Sequence, residues 1–347
     1  MPSPSQSAFD KATLLACKGY DPKFIGKDYH VSCETVLPKS LKQYLPPVEG
    51  SRKGILHYSN LSVFYHAERK VPFFAAYNID GDQKQEGIKR ANKFRLDPRV
   101  TDALQLSAET FYNLRRDITE FEIGHMAANN ELAWGENAQE KAYQTFHYPN
   151  SVPQAENLNT GVWKSLETYI INEAASIGGN KKICVFSGPI INDNDPPYLW
   201  DESFKIPLLF FKVVVFPTPQ GLFATAFVMS HEKRMTDLGM IASKKARGLE
   251  VELFNDFKYK KVFQVDVSLV EEYTGLKFRW TKVKHLKVPA GKNQLQTIRK
   301  VGNADEAKDA EKAMKRGIAP EKYVVEKEVS AKSIENNTYK LNMVLPL

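Results

Sequence analysis

Residues Phe121 to Tyr169 read FEIGHMAANNELAWGENAQEKAYQTFHYPNSVPQAENLNTGVWKSLETY, and this stretch decides the fold. It places one histidine, His125, directly after Gly124, and follows it with Asn150, Asn159 and Glu167. Val162, Trp163, Leu166, Tyr169 and Ile170 recur at three- and four-residue steps, which predicts a helix opening near Asn159. Neutral imidazole is a good base near neutral pH because its pKa lies close by. An amide oxygen is a ligand that a hard, magnesium-like cation accepts along with water. Each residue also has a plainer reading. Asn157 and Asn159 are good helix N-caps, Glu167 about two turns up the helix can be a solvated carboxylate, and His125 can be a structural histidine.

Three blocks of the stretch have counterparts in a known family. Glu122-Ile123-Gly124-His125-Met126-Ala127 resembles a signature of Asp-Arg-Gly-His, a hydrophobe and Ala. Asn150-Ser151-Val152-Pro153-Gln154 resembles a block of Asn, a small residue and Pro-Gln. Leu158-Asn159, Trp163 and Leu166-Glu167 resemble a block of Leu-Asn, Trp and Leu-Glu. Order and spacing agree across all three. The chain thus resembles the DNA/RNA non-specific endonucleases of the ββα-metal, or His-Me finger, class. The resemblance implies an α+β fold in which a ββα-metal finger is set into a central, mostly antiparallel sheet flanked by helices. It implies endonucleolytic hydrolysis of DNA and RNA with Mg2+ or Mn2+, leaving a 5′-phosphate and a 3′-hydroxyl. By the same resemblance His125 is the general base, Asn159 the metal ligand, Asn150 a substrate or site-orienting residue, and Glu167 a group acting on water at the ion. It also points to a homodimer, and an inhibitor or regulatory partner is a separate expectation.

The departure lies at Glu122-Ile123, where the family has Asp-Arg. An arginine pairs with phosphate through a charge-assisted and potentially bidentate contact, and Ile123 offers none. Activity is then expected to be weakened, or to draw on a guanidinium from elsewhere, with Arg115 and Arg116 the candidates close upstream. The alternative is a nuclease-like protein that binds nucleic acid or a partner without cutting it.

Upstream, ILHYSNLSVFYH (Ile55 to His66) and VPFFAAYNIDGD (Val71 to Asp82) read as two successive strands, the second closing in an Asp-Gly turn. The second also resembles the family's strand. Lys84 to Arg99 is basic, and FRLDPRV (Phe94 to Val100) resembles the family's Arg-x-Asp-Pro-Arg segment. Arg95 and its neighbours read either as phosphate contacts or as a solvated basic loop. His57 and His66 read as structural or surface histidines. Downstream, KICVFSGPIIN (Lys182 to Asn192) reads as a central strand and INDNDPPY as an acidic turn. IPLLFFKVVVFPTP (Ile206 to Pro219) and GLFATAFVMS (Gly221 to Ser230) read as a core hairpin. His231-Glu232 lacks the second histidine of an HExxH metalloprotease site. FQVDVSLVEEYTGLKFRW (Phe263 to Trp280) matches the family's closing strand and short helix.

The 347 residues suffice for a sizeable core, and the formal charge of +7 suits a polyanionic partner. Cys17, Cys33 and Cys184 form no CxxC and cannot all pair with one another, which suits a reducing compartment. No apolar run is long enough for a membrane, and the first residues carry no basic-then-apolar secretory pattern, so a cytoplasmic, non-membrane protein is expected. The domain organisation expected is an N-terminal arm over 1–51, wrapping a nuclease domain over 52–281, then a basic extension over 282–347. Between Tyr273 and Ala304 the tail has no acidic residue, and it reads as a nucleic-acid track, a partner dock or a solvated surface. Residues Asn303 to Arg316 read as a charged helix.

Overall fold

The computed structural model describes residues 8–113, 121–155, 158, 163–172, 182–193, 195–198, 201–218, 220–231, 235, 262–286 and 296–297. The readings made for Asn157, Asn159, Arg115, Arg116 and the charged C-terminal helix fall outside these residues.

The centre is an antiparallel sheet. β1 (Ile55–Tyr58), β2 (Leu61–His66) and β3 (Val71–Asp80) form a meander at one edge. The run Ile55 to His66 is therefore a hairpin in itself, where one strand was expected. Ser59-Asn60 makes its turn, with Asn60 at φ 60°, a conformation Asn tolerates better than most residues.

Two further chain segments interrupt the sequence before the sheet resumes. β4 (Phe121–His125) and β5 (Ser151–Ala155) pair as a separate antiparallel ribbon, with His125 opposite Ser151 and Gly124 opposite Val152. Two helices belong to this part of the chain, α2 (Ala138–Gln144) between the two ribbon strands and α3 (Lys164–Asn172) after them. A short α1 (Lys11–Ala16) lies in the N-terminal region. β4, β5 and α3 thus follow one another in ββα order.

The sheet then continues with β6 (Lys182–Ile190), which pairs antiparallel with β3, and with β9 (Leu209–Thr218) and β10 (Gly221–Ser230), a hairpin as expected. β7 (Pro197–Tyr198) and β8 (Asp201–Lys205) form a small hairpin of their own. β11 (Val262–Val265), α4 (Val267–Thr274), β12 (Val283–His285) and β13 (Gln296–Thr297) complete the described elements, and the sheet order is β1-β2-β3-β6-β9-β10-β11-β13 with β12 parallel to β10. The architecture is α+β with a mostly antiparallel sheet, as expected.

Both faces of the sheet are covered, which explains the continuous apolar runs of its central strands. One face, with Tyr77, Val185, Phe210 and Val214, packs against Met126, Val152, Trp163 and Leu166 of the ribbon region and α3. The other, with Phe74, Phe186, Phe211 and Val213, packs against Tyr20, Val31 and Val36 of the N-terminal region and against Val270, Phe278 and Trp280. Among the described residues no helix is long and apolar enough to cross a membrane.

Candidate active site

His125 ends β4 and is buried, 5% exposed. Two aromatic rings enclose its imidazole, Phe94 and Phe146, each with its centroid 4.6 Å away. Burial, helped by the charges of Arg90 and Lys212, lowers its pKa to about 3. The ring is therefore neutral at physiological pH, and its Nε2 has no hydrogen-bond partner among the described residues. A glycine must precede it, because a Cβ at position 124 would overlap the Gln154 side chain.

Asn150 is fully buried, and its side chain is spent on the backbone around His125. Its Oδ1 accepts from Ala127 N at 3.1 Å, and its Nδ2 donates to the carbonyls of Ala127 and Thr145, both at 2.9 Å. Met126 N also donates to the Asn150 carbonyl. Of the two roles expected for Asn150, this geometry fits the site-orienting one, since the amide has little left to offer a substrate.

Glu167 lies on α3. The described side chains Trp163, Leu166, Glu167, Ile170 and Ile171 are buried at the three- and four-residue spacing of one helix face. Sequence reasoning did not single out its neighbours. Lys212, in the middle of β9, is fully buried and donates to Tyr77 Oη at 2.7 Å and to Glu131 Oε1 and Oε2 at 3.0 and 3.2 Å. Its Nζ lies 3.6 Å from Glu167 Oε1. Glu131 also accepts from Tyr77 Oη and from Ala128 N, just beyond His125. Burial raises the Glu167 pKa to about 8, with Glu131 pushing in the same direction and Lys212 against both. Two carboxylates thus share one ammonium, and the remaining negative charge must be met by a proton on Glu167 or by a cation. A signal for Lys212 was present in the sequence: a lone cation inside FFKVVVF cannot be buried without a counter-charge.

The basic loop upstream divides in two. Arg99 is neither a phosphate contact nor solvated. It is buried against Asp97, with its Nη2 at 2.7 Å from Oδ2 and its Nη1 donating to the carbonyls of Leu14 and His57. Lys89, Arg90 and Lys93 are exposed and Arg95 partly so. The Arg95 backbone pairs with Phe146 and Tyr148, and its guanidinium stacks on Phe9 at 5.6 Å. Arg90 was not singled out from the sequence. Its guanidinium lies 5.2 Å from the centroid of Phe146, the same ring that packs edge-on against His125. Ile123 sits where the signature has arginine, two residues before His125 and so on the same face of β4.

Residues 41–284 match the family described as DNA/RNA non-specific endonuclease. The chain belongs to that family. Among its relatives, an uncharacterized protein of Sinorhizobium fredii, y4fB, is 27% identical over 245 residues, covering 67% of this chain and 34% of the relative. The mouse mitochondrial nuclease EXOG is 27% identical over 148 residues, covering 42% of this chain and 36% of the relative. The chain therefore spans about a third of the length of these curated relatives. A solved structure described as the EndoG/EndoGI complex, on the mechanism of EndoG inhibition, aligns with a TM-score of 0.47 at 18% identity, over 69% of this chain and 89% of the other.

Proposed function

We propose that the chain is a metal-dependent endonuclease that hydrolyses phosphodiester bonds in DNA and RNA with low sequence selectivity. The observation that carries this reading is a neutral, buried His125 whose Nε2 has no partner among the described residues and whose ring packs on Phe146, the ring that also carries the Arg90 guanidinium, in a chain of this family. Nε2 takes a proton from water as the water oxygen bonds to phosphorus. The bond from phosphorus to the 3′-oxygen then breaks, and that oxygen takes a proton from a water molecule, leaving a 3′-hydroxyl and a 5′-phosphate. A resting pKa of about 3 makes a weak base, but an approaching phosphate favours the protonated imidazole and strengthens it. Arg90 takes the part that Ile123 cannot play, holding a phosphate oxygen outside Phe146.

Among the described residues no three His, Cys, Asp or Glu side chains gather into a metal cage. By the family resemblance a hard divalent ion would be held mainly by water and by Asn159, which lies outside the described residues. Such an ion, Mg2+ or Mn2+, supplies positive charge against the phosphate as the bond breaks. Backbone contacts from the loop bearing Arg90 and Arg95 would position substrate without reading bases.

A digest of plasmid DNA and of RNA with magnesium, and again with chelator, tests this. Cleavage of both that disappears with chelator is the expected result, and intact substrate in both conditions overturns the reading. Binding should weaken with salt by a logarithmic slope of about −0.9 per phosphate neutralised on duplex DNA. Ile123 favours a second reading, a protein that binds nucleic acid without cutting it. Retention of DNA with no cleavage in magnesium would establish that one.

A further inference from the structure

Lys212 is a buried cation at the point where four elements meet, and the proposed chemistry assigns it no task. Its ammonium has three donor directions. One goes to Tyr77 on β3, one to Glu131 in the loop that follows His125, and the third faces Glu167 on α3. The Trp163 ring stands 4.9 Å from the same Nζ. Lys212 itself is anchored in the middle of the sheet, opposite Ser187 of β6 and Phe227 of β10.

We infer that Lys212 is a positioning residue of the active site, fixing Glu167 and the loop behind His125 in one relative placement. The inference rests on the nuclease reading given above. α3 and the 126–131 loop belong to separate parts of the chain, and within this cluster their carboxylates are bridged by one ammonium. Glu131 passes the restraint to the His125 loop through Ala128 N at 2.8 Å, while Asn150 holds the adjacent Ala127. Tyr77 closes the cluster by donating to Glu131 Oε1 at 2.9 Å. A lysine here costs desolvation that an apolar residue of similar volume would not. A residue kept only to fill space would be methionine or leucine, as its neighbours on the same face of β9, Phe210 and Val214, are apolar.

Lys212→Met should lower kcat about 10²-fold with KM nearly unchanged, the usual consequence of a catalytic group displaced by about 1 Å. A lone lysine deletion leaves two buried carboxylates facing each other and threatens folding, so two paired variants accompany it. Lys212→Met with Glu131→Gln, and Lys212→Met with Glu167→Gln, each remove a negative charge together with the positive one. Each is expected to melt cooperatively near the wild-type midpoint and still to show the kcat loss. Glu167→Gln and Lys212→Met together should lose less than the product of the two single losses, because part of what Lys212 does is exerted through Glu167.

Wild-type kcat in Lys212→Met/Glu131→Gln would overturn the inference and leave Lys212 a structural counter-charge. Losses that multiply in the Lys212→Met/Glu167→Gln pair would do the same, as would a loss confined to KM. The nuclease reading fails separately, when the wild-type protein itself does not cut, and this inference falls with it.

Discussion

Two buried charge clusters lie in this molecule, and they are built to opposite rules. In the first, Arg99 and Asp97 pair one to one. Tyr58 donates to Asp97 Oδ2 at 2.6 Å, Gln105 serves the Asp97 backbone, and the spare guanidinium donors reach two carbonyls. Burial alone would raise the Asp97 pKa, but the Arg99 hydrogen bonds and nearby positive charge bring it below the ordinary carboxylate value. In the second, Glu131 and Glu167 divide one lysine, and the Glu167 pKa is driven up to about 8. Close by, His125 Nε2 lacks a partner among the described residues. A balanced, satisfied cluster holds the chain in place. An unbalanced one, with polar atoms left open, is equipped to take up protons, ions or phosphate.

The contrast can be broken by substitution. His125→Ala should lower turnover per folded molecule by about 10² to 10⁴, the usual worth of a general base, besides the stability lost to the cavity left between Phe94 and Phe146. A variant that cuts DNA as fast as wild type would remove His125 from the chemistry. Arg99→Ala should act on stability alone. It leaves a buried, unpaired Asp97 and should cost about 3–5 kcal/mol of stability, while the folded fraction keeps its turnover. Denaturant titration and activity per folded molecule separate the two effects. Arg90→Ala is a milder test of the open cluster. Losing one charged hydrogen bond of about 1.5–3 kcal/mol in the transition state should lower kcat/KM roughly 10- to 100-fold, with stability untouched because Arg90 is exposed. If Arg90→Ala is silent and Arg115→Ala with Arg116→Ala is not, the missing signature arginine is replaced from upstream instead.

The pH dependence of stability offers a further test. Burial depresses His125 to about 3 and His66 and His231 to about 4, all from an ordinary 6.5. The unfolded chain takes up protons on these rings as pH falls below about 6.5, while the native chain resists until about 3 to 4. Their contribution is fully present above 6.5 and is lost as pH falls through that window. Glu167 works in the opposite sense, contributing below about 4.5 and losing that contribution as pH rises toward 8. The melting midpoint should therefore fall between pH 6.5 and 4, and a midpoint that stays level across that range would refute the account.

Much of this was legible in the sequence for identifiable reasons. The hairpin of β9 and β10 announced itself through long apolar runs either side of a turn, and the family signature marked His125, Asn150 and Glu167. The β1–β2 turn was missed because Ser59-Asn60 interrupts the apolar pattern only briefly, and a left-handed Asn leaves little trace in a run of β-formers. Arg99 and Arg90 look alike in sequence. What separates them is Asp97, two residues before Arg99, within reach of its guanidinium, whereas Arg90 has aromatic Phe146 as its neighbour from a distant part of the chain. Lys212 was passed over as one polar letter in an apolar strand. Its counter-charges, Glu131 and Glu167, come from distant segments, and only the folded chain brings them together.

The pairing of β3 with β6 has a consequence for how the molecule assembles. Asp80 stands opposite Lys182 in the sheet, and the described residues between them, including the ribbon that bears His125, lie outside the sheet's strand order. The sheet can be joined across that seam only after a long loop has closed. Closure entropy grows slowly, by about 0.6 kcal/mol for each doubling of loop length, so the excursion costs little at equilibrium. It weighs more on kinetics, because pairings between distant segments raise contact order and slow folding. The ribbon that bears His125 is thus a detour with both ends tied at one point of the sheet.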